Sequence, residues 1–361
     1  MKSEFGQQLH VSIFGESHGP YIGCEVNAFP NGEAVDLNQL KAFMDRRKPG
    51  KTPYTTPRKE EDLPKIESGL TNGKTDGTLF RAIIENSNQH SGDYDALHLK
   101  PRPSHADYTA VVKYGKDTDL RGGGHFSGRL TAPLCIAGGI AKQILARRGI
   151  YVGAHLSSVG EEQDSWFPLH PTKELFDQLA EKEFPVLSDR CGKRMEKELK
   201  FAVKDGDSIG GTVECSVIGL PAGLGTPRFG GIESQLSAVL FGIPAVKGVE
   251  FGEGFLGSTY YGSDYNDTFY IDNGTVLTKT NHVGGVLGGM TDGMPVNFRV
   301  AFKPTPSISL PQQTVDLETM EETIIEIKGR HDPCVAIRGV PVIEAATALV
   351  ILDILMEEGA L

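Results

Sequence analysis

Four short stretches gather the residue types that proton transfer and anion binding require. Gly15-Glu16-Ser17-His18-Gly19 directly follows an apolar run, so the chain leaves a strand and presents Glu, Ser and His at its end. Ligand sites in α/β proteins commonly lie there. The imidazole titrates near neutrality, which suits His18 to hold or donate a proton, although a structural turn histidine accounts for the same residues. Pro101-Arg102-Pro103-Ser104-His105-Ala106-Asp107-Tyr108 sets a second histidine between stiffening prolines and an aspartate able to orient the ring or raise its pKa. A solvated turn is the alternative. Arg121-Gly122-Gly123-Gly124-His125-Phe126-Ser127-Gly128-Arg129 runs into an apolar helix; the glycines let backbone N–H groups approach a ligand, and the helix start favours an anion such as phosphate. Neither a P-loop nor a dinucleotide fingerprint is present in it. Finally, Arg46-Arg47-Lys48-Pro49-Gly50-Lys51, with Arg58 and Lys59 beyond, closes a predicted helix, either as cations at its C-terminus or as an anion clamp.

Three later stretches extend the pattern. Asn281-His282-Val283-Gly284-Gly285-Val286-Leu287-Gly288-Gly289 offers a second glycine loop for a flat ligand. Lys303-Pro304-Thr305-Pro306-Ser307 supplies a cation and two hydroxyls after a strand, and Gly329-Arg330-His331-Asp332-Pro333 places Arg330 and Asp332 on one loop, where a surface salt bridge would contribute little. The other histidines, His10, His90, His98, His155 and His170, show no metal spacing, and Asp205-Gly206-Asp207-Ser208 lacks the remaining ligands of a calcium loop, so no metal is expected.

The elements that must position these residues read as mixed α/β. Strands are expected at 11–14, 24–28, 78–85, 213–218, 246–251 and 296–303, from their β-branched and aromatic content, and helices at 37–47, 130–148, 173–183, 231–240, 317–328 and 342–357. Helices and strands alternate after residue 130, which favours helices covering sheets. A faint repeat pairs Gly138-Gly139-Ile140 with Gly230-Gly231-Ile232, each read as preceding a helix that ends in Gly-Ile and leads to a strand. The charged segment 160–205 reads as an excursion on one domain spanning 1–361.

Composition narrows the function further. With 47 acidic against 36 basic residues the net charge is −11, which disfavours non-specific attraction to nucleic acid or anionic membrane, so any anion site must be a local cationic pocket. The five scattered cysteines form no Cys-x-x-Cys pair, and a reducing cytosol is their simplest home. No signal-peptide core opens the chain, and the longest apolar stretch, 345–356, is interrupted by Asp353, so no membrane span is expected.

Taken in order, these motifs, together with Asp45-Arg46-Arg47, Tyr54-Thr55-Thr56, Gly206-Asp207-Ser208-Ile209-Gly210-Gly211, Pro221-Ala222-Gly223-Leu224-Gly225, Ala245-Val246-Lys247-Gly248-Val249-Glu250 and Gly329-Arg330-His331-Asp332-Pro333-Cys334, resemble the chorismate synthase family nearly end to end. The resemblance implies a 1,4-anti elimination of phosphate from 5-enolpyruvylshikimate 3-phosphate to give chorismate, the last step of the shikimate pathway. It also implies reduced FMN without net redox change, a β-α-β sandwich with helices enclosed between sheets, and a cytoplasmic homotetramer. By analogy His18 protonates the departing phosphate, His105 protonates the reduced flavin, and Asp332 assists proton removal. Substrate contacts fall to Ser17, Arg46, Arg47, Arg129 and Arg330, and flavin contacts to His125, Phe126, Ser127, Ala245, Gly288, Lys303, Pro304, Thr305, Pro306, Ser307 and Arg330. Substrate and flavin bring two phosphates and two carboxylates, and a charge pair about 4 Å apart at an effective dielectric of 20 is worth roughly 4 kcal/mol, which gives the basic cluster a purpose. The chain departs from the family at His125-Phe126, where Arg-Ser is common, and at Pro53, Pro244 and Pro306. Two other functions compete: a bifunctional enzyme that also reduces its FMN with NADPH, and a non-catalytic flavin- or phosphate-binding protein, which the presence of His18, His105 and Asp332 disfavours.

Overall fold

The structure is a computed structural model and describes residues 2–50, 61–86, 99–327 and 331–361. Strands β1 (Lys2–Phe5), β2 (His10–Gly15), β3 (Tyr21–Asn27), β4 (Lys65–Ser68) and β5 (Phe80–Glu85) form one antiparallel sheet in the order β1-β2-β3-β5-β4. A second antiparallel sheet contains β6 (Tyr151–Val159), β7 (Glu162–Gln163), β8 (Gly211–Ile218), β9 (Val246–Phe251) and β10 (Val296–Phe302), in the order β9-β10-β8-β6-β7. In β10 the two-residue period is clean, with Val296, Phe298, Val300 and Phe302 buried and the residues between them less so.

The main helices are α1 (Leu37–Arg47), α2 (Asp107–Tyr114), α3 (Thr131–Ala146), α4 (Lys173–Glu181), α5 (Asp189–Lys204), α6 (Ile232–Leu240) and α7 (Ala336–Glu357). Both α3 and α7 are apolar on nearly every face, the pattern of helices enclosed on all sides. They pack against each other, α3 on the first sheet and α7 on the second, so the expected layering of helices between sheets is present. Their close approach depends on Gly138, where a Cβ would stand 2.4 Å from the Ala345 Cα. Helix α7 is apolar enough to cross a membrane by composition, with a mean hydropathy of 2.0, but 94% of that window is buried inside the fold. Its Asp353 carboxylate is buried because it accepts the backbone N–H groups of Gln7, Gln8 and Leu9, fastening the N-terminal loop to the core.

Three expectations need correction. Residues 317–328 are not helical: Gln312–Asp316 and Glu321–Ile325 pair as a hairpin, the Asp316 carboxylate taking the Glu318 and Thr319 N–H groups to make the turn. The β-branched residues of the hairpin, with Thr314 opposite Thr323 and Ile324 and Ile325 opposite Gln313 and Gln312, prevail over the helix propensity of the glutamates. Helix α7 begins at Ala336 rather than 342, because enclosure on all sides holds its first turns despite Pro341. The repeat does not survive, since Gly138 and Gly139 lie within α3 whereas Gly231 caps α6. Within 160–205, α4 and α5 pack on the outside of the second sheet, above a small cluster of Phe167, Phe176 and Leu179.

Candidate active site

A cavity of about 620 Å³ opens where the 3-10 loop Arg121–Phe126, the C-terminus of α1, the start of α7 and the segments 241–247 and 302–307 converge. That volume suits a small-molecule site. Gly122, Gly123 and Gly124 all take positive φ, at 59°, 91° and 54°, a run that side chains would resist. The first of them makes room for a catalytic candidate: a Cβ at Gly122 would stand 2.6 Å from His18 Nε2 and 2.9 Å from Ser17 Oγ. The Ser17 N–H donates to the Gly124 carbonyl at 3.0 Å, so the loop after β2 is bound to the glycine loop, with Ser17 and His18 buried behind it.

His105 stands one glycine further along, its Nε2 3.4 Å from where a Gly123 Cβ would be. Its Nδ1 lies 2.5 Å from Asp107 Oδ1. A carboxylate only accepts, so Nδ1 carries the proton and Nε2 presents its lone pair toward the cavity side. Asp107 in turn takes hydrogen bonds from Arg102, and despite burial these bonds and that from His105 hold its carboxyl well below the usual carboxylate range. His105 is pushed down, by burial first and by the charges of Arg102 and Lys303, against the upward pull of Asp107.

Cations ring the space. Arg47 is almost wholly buried; its Nη1 meets Asp62 at 2.5 Å and its Nε donates to Thr131 Oγ1 at 3.0 Å. Asp62 also pairs with Arg129, and although burial opposes it, the two guanidiniums keep its carboxyl low. Burial lowers the Arg47 pKa in spite of Asp62. Lys303 is lowered by burial and by the like charge of Lys247. Arg338, on the first turn of α7, reaches Asp332 Oδ2 at 2.6 Å and the Arg47 carbonyl at 3.0 Å. Thr305 donates to the Asp332 carbonyl at 2.8 Å. Ala245 holds φ at 72°, strained for a residue with a Cβ, and its carbonyl accepts the Lys303 N–H at 2.9 Å.

Of the residues singled out from sequence, His105, Arg47, Arg129, His125, Phe126, Ser127, Ala245, Lys303, Thr305, Pro306, Ser307 and Asp332 line this one cavity, with His18 and Ser17 directly behind Gly122. Arg46 does not join them: its guanidinium forks onto the buried Glu344 at 2.7 and 2.8 Å, because the neighbouring position on α1 faces the core helices. Gly288 lies exposed at the tip of the Val286–Thr291 hairpin, outside the cavity lining, and Pro304 turns outward against Gly210. Arg330 and Pro53 fall outside the described residues. His125 is held by the protein, donating from Nδ1 to the Gly15 carbonyl at 2.8 Å and accepting the Ser3 hydroxyl on Nε2 at 2.8 Å. Arg102, Asp62, Lys247 and Arg338 were not singled out; a lone arginine at the head of an apolar helix was the signal for Arg338, and an arginine flanked by two prolines for Arg102.

Comparison with known proteins gives a consistent result. The family model for chorismate synthase matches residues 9–356. The chain is 45% identical over 367 residues to a chorismate synthase of Lancefieldella parvula, an alignment covering 98% of this chain and 96% of that protein. It is 46% identical to one from Thermococcus kodakarensis, covering 98% of each, and 42% identical to one from Methanothermobacter thermautotrophicus, covering 98% of this chain and 94% of the other. A crystal structure of chorismate synthase superposes with a TM-score of 0.77 at 24% identity over 98% of this chain and 93% of its own, which establishes the shared fold.

Proposed function

The chain belongs to the chorismate synthase family of phosphate-eliminating lyases, and we propose that its cationic cavity is where 5-enolpyruvylshikimate 3-phosphate loses phosphate by 1,4-anti elimination to leave chorismate, with reduced FMN bound alongside. The observation that carries this assignment of the site is the pairing of His18 and His105 against adjacent glycines of one loop, at a cavity lined by the buried Arg47 and the part-buried Arg129, Lys303 and Arg338.

Arg47, Arg129, Lys303 and Arg338 offer positive charge to the substrate anions from a wall largely screened from water, where each charge acts strongly. His18 protonates the departing phosphate. His105, neutral with its Nδ1 proton on Asp107, presents the Nε2 lone pair on the edge that faces the cavity, where it would take up and release a proton beside the flavin ring. Asp332, kept in place by Arg338, assists proton removal from the substrate. The residues present suit a flavin phosphate and a flat ring: Lys303 and Lys247 repel each other until an anion arrives, and Gly123 leaves the backbone bare beside Ser127. Ser127, Ala245, Lys303, Thr305, Pro306 and Ser307 would hold that cofactor, flanked by His125 and Phe126. Reduced FMN, when bound, would supply an electron-rich ring to the elimination without net redox change.

A cytosolic homotetramer is part of the same proposal. Five free thiols accord with a reducing compartment, and Phe229, Phe255, Tyr261 and Ile271 expose apolar area of the kind subunit contacts cover. The deciding experiment is anaerobic: pure protein, 5-enolpyruvylshikimate 3-phosphate, chemically reduced FMN and no nicotinamide. Stoichiometric chorismate and phosphate are expected, and absence of product with both ligands bound would overturn the proposal.

A further inference from the structure

We propose that Arg102 is a positioning residue for the reaction, gripping the Asp107 carboxylate so that the His105 ring is held with its Nδ1 proton inward and its Nε2 toward the cavity. This rests on the reading of His105 as a proton-transfer group and adds a residue to it.

The grip is built locally. Pro101 and Pro103 restrict the backbone on either side of Arg102, and Ser104, at a φ of 61°, turns the chain back on itself. The His105 N–H then bonds the Arg102 carbonyl at 3.1 Å, and helix α2 begins at Asp107. The arginine side chain and backbone therefore meet the carboxylate two and five residues away from the ring and from themselves. Arg102 Nε donates to Asp107 Oδ2 at 2.7 Å, Nη2 to Oδ1 at 2.8 Å, and the Arg102 backbone N–H to Oδ2 at 3.0 Å. Three donors on two oxygens fix the plane of the carboxylate, as a bidentate guanidinium does and a point charge cannot. The remaining arm, Nη1, donates to Ser307 Oγ at 3.2 Å, so the grip is braced against the segment after β10 that also carries Lys303.

The same geometry sets the charge around the ring. Arg102 Nη2 lies 3.1 Å from His105 Nδ1, a cation in contact with the imidazole edge. Among the described residues, the charged groups acting on the ring are Asp107 and Arg102 from its own loop and Lys303 from the opposite wall, with Gly123 and Ser127 against its Nε2 edge and His18 beyond Gly122. An aspartate alone beside a histidine would raise its proton affinity. Arg102 offsets that pull while keeping the orientation, so the ring stays neutral with a defined tautomer.

The test is nitrogen NMR of histidine-labelled, full-length protein across pH, alongside pH–turnover profiles. The native protein should show His105 as the Nδ1–H tautomer. In Arg102→Gln the cation is gone while Asp107 remains, so His105 should bind its second proton about 10-fold more tightly or better, and the limb of the turnover profile that reports this group should move upward with it. Arg102→Lys should return the titration toward the native position yet leave turnover low, since one ammonium cannot hold both oxygens. An unmoved titration and tautomer in Arg102→Gln, with or without lost stability, would refute the proposal. Should that variant fail to fold, Asp107→Ala carries the test, since it removes the acceptor that Arg102 grips, and persistence of the Nδ1–H tautomer at its native population would refute it equally. Full turnover in His105→Gln would instead remove the proton-transfer reading and leave the titration result intact.

Discussion

His105 and His155 are both withdrawn from water beside carboxylates, yet their proton affinities move in opposite directions. His155 is fully enclosed, with Nε2 2.7 Å from Glu214, Nδ1 3.3 Å from Asp164 and its ring edge-on to Phe167 at 4.7 Å. Burial lowers its pKa, but the two carboxylates outweigh burial and the net shift is upward. At His105 the single carboxylate is already gripped by Arg102, Lys303 stands opposite, and the net shift is downward. The balance of partner charge decides the sign. Purpose differs as well: Asp164 accepts the Leu187 and Ser188 N–H groups and Glu214 that of Phe167, so the His155 cluster fastens the 160–205 excursion to the second sheet, whereas the His105 cluster opens on a cavity.

The largest effect that could break this comparison is on turnover. His105→Gln and His18→Ala should each lose roughly 10² to 10⁴ in steady-state rate with a denaturation midpoint near the native one. Near-native rates in both would remove their assigned roles. His155→Leu should do the reverse, costing about 3 to 5 kcal/mol in urea unfolding because two carboxylates are left buried without their partner, while the folded fraction keeps its turnover. An unchanged midpoint would show that the cluster does not brace the excursion.

Arg46 offers a smaller test, since Lys142 stays on Glu344 when the arginine is removed. Arg46→Gln should cost about 1 to 3 kcal/mol in unfolding and leave the substrate KM where it was. A raised KM at native stability would restore the anion contact expected from sequence. Smallest is the pH dependence. The folded pKa of His155 lies above its unfolded value, so its contribution is complete below about 6.5 and fades as pH rises through the folded pKa. For His105 the folded value is depressed, so the unfolded chain protonates first and stability falls as pH drops below about 6.5. Unfolding free energies of the two variants, each subtracted from the native protein, should therefore slope in opposite directions between pH 5 and 8; parallel slopes would contradict the assigned charge balance.

Much of this site was legible before the fold. Helix α1 ends at the expected residue, with Asp36 capping its start, because its signals are local: a cap, an apolar spacing and a basic end before Pro49. The spacing of His105 and Asp107 likewise announced a ring–carboxylate pair, and three successive glycines announced a backbone that something approaches closely. That the approaching group is His18 was not legible, since it comes from more than a hundred residues away. Nor was the choice between Arg46 and Arg47, which share composition and neighbourhood but point about 100° apart on the helix, one to Glu344 and one to Asp62.

The sequence alone therefore determined the mixed α/β class and the loops that carry chemistry, since caps and periodicity are written within short stretches of chain, and motif order pointed to the family whose resemblance implied the layering. Only the tertiary structure decided which cations face the cavity, which are neutralised in the core, and which way each histidine's proton affinity moves. Charge interactions fall off over a few ångströms and depend on burial, so their sign at any residue is set by partners that the chain brings near only when it folds.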